Sequence, residues 1–150
     1  MLAELQALKI TGAAYFTQRL PQVVTAGTTE GSPGYERFAL VRRHVAGYWG
    51  SLADVRGNAP TGIAAHHVVW IWRRARATLG FIHDAGWTHG DVSPQHLLLQ
   101  PRDHGALLID WSCGCPAVSG VQPNKLLSSA TGARDLVQLA ASACVMPGNT

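Results

Sequence analysis

The stretch from Gly62 to Asp84, "GIAAHHVVWIWRRARATLGFIHD", constrains this chain more than any other. Ala65, Val68, Val69, Trp72, Ala75, Leu79 and Ile82 fall at spacings of three and four, which predicts one continuous apolar helical stripe. Arg73, Arg74 and Asp84 lie off that stripe. Thr61 can cap the helix after Pro60, and Gly86 sits beyond its end. At 1.5 Å per residue such a helix spans roughly 35 Å, the width of a small domain. An element this long and apolar has to be buried along one side, so the fold must be built around it.

The rest of the chain supplies short elements to pack on that helix. Met1–Ile10 carries leucines at helical intervals, with Gly12 just past its end. "PQVVTAG" and "RFALVRRHV" read as two strands joined by the loop "GTTEGSPG". "SLADVR" predicts a short helix with Ser51 as its N-cap. "HLLLQ" (residues 96–100) and "ALLID" (106–110), separated by "PRDHG", predict a small hairpin. Such a hairpin would bring Asp91, a few residues before its first strand, near Asp110, which ends its second. Residues 133–146 form a last apolar helix, with Asp135 in its first turn, where the helix dipole favours a negative charge. The expected class is α+β, mostly helical.

Composition narrows the function. With 150 residues, 47% apolar and only 14% charged, the chain is a globular domain and not a disordered one. Ten arginines against two lysines give a net charge of +3, a mild excess that a solvated basic face explains. Arginines 73, 74 and 76 beside tryptophans could contact nucleic acid. A stripe that buries Trp72 leaves a core helix with one basic face instead, so nucleic acid is not an expected partner. Three cysteines make no disulfide framework, and Cys113 and Cys115 have no second pair to complete a zinc site. Of the seven histidines, His66 and His67 are adjacent and face different ways on a helix, while His44, His83 and His104 lie on separate elements. No membrane-length apolar run and no basic signal-peptide head occur, so the expectation is a cytoplasmic protein with no membrane partner.

The chemistry concentrates in "GWTHGDVSPQHLLLQ" and, 19 residues after Asp91, in "LLIDWSCG". These motifs resemble the carboxy-terminal lobe of the protein kinase-like superfamily, whose pattern is H-R-D-x-x-x-x-N followed by D-F-G. The matching positions are His89, Gly90, Asp91 and His96, then Asp110, Trp111 and Ser112. The "HGD" and "IDW" forms are similar to the small-molecule branch of aminoglycoside and choline kinase-like enzymes. "DLVQLAASA" resembles the later buried helix of that family, whose Asp ties back to the catalytic loop.

The resemblance implies a division into a partial amino lobe and hinge (residues 1–46, a helix plus a two-stranded hairpin) and a carboxy-lobe core (residues 47–150). It implies ATP and Mg²⁺ as cofactors and a protein or small-molecule hydroxyl as acceptor. Asp91 would be the catalytic base and Asp110 the metal ligand, with His96 at a second metal position. Arg43 and Val45 at the hinge and Leu98 on the strand after the loop would contact the nucleotide. His89 would brace the loop through hydrogen bonds, and His83 would be a packing residue at the helix end.

Departures from the pattern are informative. His96 replaces the metal-binding Asn, and an imidazole suits Zn²⁺ and other transition metals better than Mg²⁺. Ser93 stands where many protein kinases have a Lys, Gly90 where they have an Arg, and Ser112 where they have a Gly. No G-x-G-x-x-G occurs, and Lys9, in a helical segment, is the only lysine before the catalytic loop. Glu4 would be half of an ion pair whose lysine is missing. Two functions are therefore expected to compete: an ATP-dependent phosphotransferase, and a truncated pseudokinase kept as a binding module. On its own the 150-residue chain is expected to be inactive. Self-association or a partner chain is expected to cover the incomplete amino lobe.

Overall fold

A computed structural model describes residues 1–29, 37–42, 46–102, 104–117 and 131–146. Helices α1 (Leu2–Ala7) and α2 (Ala13–Thr17) are followed by strands β1 (Val23–Thr29) and β2 (Arg37–Arg42), then by the short strand β3 (Gly50–Ser51). Helices α3 (Leu52–Asn58) and α4 (Ala65–Asp84) lead into β4 (Trp87–Thr88), β5 (Leu97–Gln100), β6 (Gly105–Leu108), β7 (Cys115–Pro116) and the final helix α5 (Gly132–Cys144). Helix outweighs strand among the described residues and all sheets are small and antiparallel, so the α+β class holds.

The hairpin β5–β6 forms in the register Leu97↔Leu108, Leu98↔Leu107. Successive side chains of a strand face opposite ways. Leu97 and Leu99 accordingly enter the core, while Leu98 and Gln100 are half-buried on the other face. β3 adds to the outer edge of this hairpin through Gly50↔Leu99 and Ser51↔Leu98. Ser51 then caps α3 as expected, in a full capping box: its hydroxyl accepts from the Asp54 N–H, and the Asp54 carboxylate accepts from the Ser51 N–H.

α4 is the spine, 20 residues and about 30 Å long. Its buried face runs through Val68, Ile71, Ala75, Thr78, Leu79, Phe81 and Ile82. This corrects the expected stripe at its first half: Val69 and Trp72 are exposed, and Ile71 takes the inward position. Residues 68–72 are apolar all round, so periodicity there cannot choose a face; packing does. The start is also later than expected. Ala64, not Thr61, precedes the helix, without a side-chain cap, and the Ile63 N–H just before it donates to the Met146 carbonyl.

The core cluster joins both ends of the chain to this spine. Leu2, Leu5 and Leu20 belong to the same buried cluster as Leu79, Ile82, Leu97, Leu108 and Leu139. Phe16 of α2 stacks on Phe81, with ring centroids 5.0 Å apart. α5 packs against α4, burying Leu139 and Ser142. The expected hinge contacts Arg43 and Val45 lie outside the described residues.

Candidate active site

The segment between β4 and β5 is held from below by one carboxylate. Asp135, fully buried on the first turn of α5, accepts the His89 N–H at Oδ2 and the Gly90 N–H at Oδ1, both at 2.8 Å. The His83 Nε2–H donates to the same Oδ2 at 2.9 Å. Burial opposes the ionised form of Asp135, yet the His83 bond and the two backbone donors outweigh it and hold the carboxyl below its ordinary pKa. Gln138, one turn further along α5, accepts the Val92 N–H at 3.0 Å. The same helix thus clamps the loop on both sides of Asp91.

His89 completes the bracket. It is fully buried, its Nε2–H donates to the Ile109 carbonyl at 3.0 Å, and its Nδ1 accepts the Asp91 N–H at 3.3 Å. A carbonyl only accepts and an N–H only donates, so these partners specify one neutral tautomer. Burial, the largest influence, pushes its pKa below the usual histidine value. Trp111 lies edge-on to the ring at 4.6 Å and donates its indole N–H to the Leu108 carbonyl.

A second tie closes the loop from above. β4 pairs with β7 through Trp87↔Pro116 and Thr88↔Cys115, so the residues after Asp110 return to the strand before His89. The Thr88 hydroxyl donates to the Cys115 carbonyl at 3.2 Å. Gly90 sits between these layers at φ +82, where a Cβ would lie 2.4 Å from the Cys113 carbonyl oxygen. Both the conformation and the space demand glycine, which is why no arginine can stand there.

Within this frame Asp91 and Asp110 converge. His96 ends the short 3-10 turn Pro94–His96, and its Nδ1–H donates to the Asp91 backbone carbonyl at 3.0 Å, with Asp91 Oδ2 at 3.3 Å. On the other side of the ring, His96 Nε2 lies 3.3 Å from Asp110 Oδ2. One imidazole therefore spans the gap between the two carboxylates. The aspartates are 43% and 46% exposed, against 20% for His96, so both carboxylates reach solvent beside a more buried ring. Asp110 adopts a left-handed conformation (φ 56, ψ 75), sparsely populated for a non-glycine residue, and its Oδ1 accepts the Ser112 N–H at 3.3 Å.

The acidic pair offers hard oxygen ligands of the kind Mg²⁺ takes from one or two carboxylates plus phosphate oxygens. His96 directs its two nitrogens to opposite sides, and a single ion cannot be reached by both. Among the described residues no group of three or more His, Cys, Asp or Glu side chains is arranged to hold a metal. Asp110 and His96, the two expected metal positions, lie side by side, with His96 Nε2 facing Asp110 Oδ2. Leu98 lies on the half-buried face of β5. Beside the Pro94–His96 turn opens a cavity of about 730 Å³, whose lining includes Arg56, Thr61, Gln95 and Met146.

The model of the lipopolysaccharide kinase (Kdo/WaaP) family matches residues 2–116, a span that includes both Asp91 and Asp110. The chain belongs to that family. Kdo/WaaP proteins form a protein kinase-like family of phosphotransferases, in agreement with the resemblance carried by the catalytic-loop motifs. No curated protein matches the chain. For a Kdo/WaaP chain, the sequence singled out Asp91, His96 and Asp110, and these three side chains lie together. It missed Gln138, although its spacing of three from Asp135 places both on one helical face. It also took His83 for packing alone, where the side chain bonds to Asp135.

Proposed function

We propose that this Kdo/WaaP chain transfers a phosphoryl group from ATP to a saccharide hydroxyl of a lipopolysaccharide, the acceptor class in its family's name. Asp91 accepts the proton of the attacking hydroxyl, and Asp110 supplies the carboxylate that holds the Mg²⁺ of the nucleotide. Magnesium, when bound, neutralises charge developing on the phosphates. His96 keeps the two carboxylates at a fixed separation, and Leu98 offers apolar surface to the adenine. The acceptor occupies the cavity beside Gln95, where Arg56 and Thr61 supply polar contacts. In this reading residues 1–46 contribute part of an amino lobe and residues 47–150 the carboxy-lobe core.

The observation that carries the reading is the meeting of Asp91 and Asp110, both partly exposed, on one imidazole. A second reading, a nucleotide-binding module without turnover, draws on the engagement of both His96 nitrogens by carboxylates and on the absence of a glycine-rich loop from the sequence. Loss of one electrostatic donor of that kind costs about 3–4 kcal/mol in other enzymes. Calorimetry of Mg-ATP with the wild type, Asp110→Ala and Asp91→Ala distinguishes the two. Binding lost in Asp110→Ala, together with turnover abolished in both variants, supports the enzyme. Binding without turnover in the wild type supports the module, and no binding at all rejects both.

A further inference from the structure

We infer that the outer face shared by α4 and α5 docks on an anionic lipid surface. On α4, Val69, Trp72, Arg73 and Arg76 follow one another at helical spacing and all are exposed. On α5, Leu136, Val137, Ala140 and Cys144 form the corresponding exposed row. The two rows meet in an open groove of about 300 Å³ lined by Val68, Val69, Trp72, Ala140, Ala143 and Cys144. Four large apolar side chains, Val69, Trp72, Leu136 and Val137, are between 37% and 50% exposed here, where a soluble monomer keeps such patches small.

Charge selects the occupant. Arg73 and Arg76 border the apolar rows, and the Arg76 guanidinium lies 5.5 Å over the Trp72 ring. Arg74 is directed elsewhere, to the Tyr15 hydroxyl of α2. The acidic residues of these two helices are Asp84, at the far end of α4, and Asp135, buried and bonded in the catalytic bracket. A second copy of this face would offer those arginines no acidic partner from the same two rows. A bilayer carrying anionic headgroups accepts the apolar rows below the interface, the tryptophan at headgroup level and the arginines in contact with phosphate. This inference departs from the sequence expectation of no membrane partner; among the described residues no helix is long and apolar enough to cross a membrane. A face lying on the surface needs none.

The test is co-sedimentation of the whole chain with vesicles of phosphatidylcholine, with and without phosphatidylglycerol. Binding is expected only to the anionic vesicles, weakening as salt is added, and falling at least about tenfold in Arg73→Glu/Arg76→Glu and in Trp72→Ser/Val137→Ser. Arg73 and Arg76 are exposed, so circular dichroism should show the charge-reversed variant folded; it carries the test if the loss of Trp72, which is only 37% exposed, disturbs the fold. Asp91→Asn should bind vesicles like the wild type, which separates docking from phosphoryl transfer. Equal binding to neutral vesicles, or no loss in the charge-reversed variant, overturns the inference. A dimer that Val137→Asp dissociates, with no vesicle binding, overturns it too and assigns the face to a second copy.

Discussion

Two groups of acidic side chains flank the same loop and live in opposite surroundings. Asp135 lies below it, without solvent exposure, and its two oxygens accept two backbone N–H groups and one imidazole N–H. Asp91 and Asp110 lie at its rim, nearly half exposed, sharing a single ring. A buried carboxylate with matched donors fixes backbone geometry. An exposed one stays available to a ligand. The difference teaches that the bracket should be intolerant of change in stability, whereas the rim should be intolerant only in activity.

The largest break should come from Asp135→Ala. It strands two buried N–H groups and His83, a loss of roughly 3–5 kcal/mol by the cost of disrupting buried charged networks. Thermal melting should show a fall large enough to leave the chain partly unfolded at room temperature. Gly90→Ala should follow, at roughly 2–4 kcal/mol, because the new Cβ must both adopt a positive φ and displace the Cys113 carbonyl. A Gly90→Ala chain as stable as the wild type would contradict the packing of the two layers.

A smaller effect separates the two regions by pH. The pKa of His89 is lowered in the folded state, so below about 6.5 the unfolded chain takes up a proton that the native ring refuses. Stability should therefore decline as pH falls through that range, and His89→Gln should flatten the decline. Asp135, also lowered, contributes stability that is intact above about 3.9 and is lost only as pH drops further, through its folded value. Two acid steps in a melting-temperature profile, the first absent in His89→Gln, would sharpen the distinction. The smallest change in stability, about 0.5 kcal/mol or less, belongs to Asp91→Asn, since its carboxylate is exposed and weakly paired.

Much of this contrast was legible before any fold was known. The pairing of the leucine runs placed Asp91 and Asp110 at one edge, because turn residues and short apolar strands leave few alternatives. The tie from Asp135 to the loop came from resemblance, not from periodicity. What escaped was tertiary in origin. An apolar run such as residues 68–72 contains no signal of which side faces the core, so Trp72 was assigned inward and stands outward. The need for Gly90 depends on Cys113, 23 residues on, whose approach is set by the β4–β7 pairing of two-residue strands too short to announce themselves. The sequence brings His96 close to Asp91, but its bridging of two carboxylates depends on both loop and hairpin being in position.

Steady-state ATP turnover, measured side by side for the wild type, Asp91→Asn and Asp110→Asn at equal thermal stability, tests the rim most directly. Magnesium-dependent turnover is expected in the wild type and its loss in each variant, with nucleotide binding weakened only by Asp110→Asn. Turnover that survives both substitutions would show that these two carboxylates do not carry the chemistry.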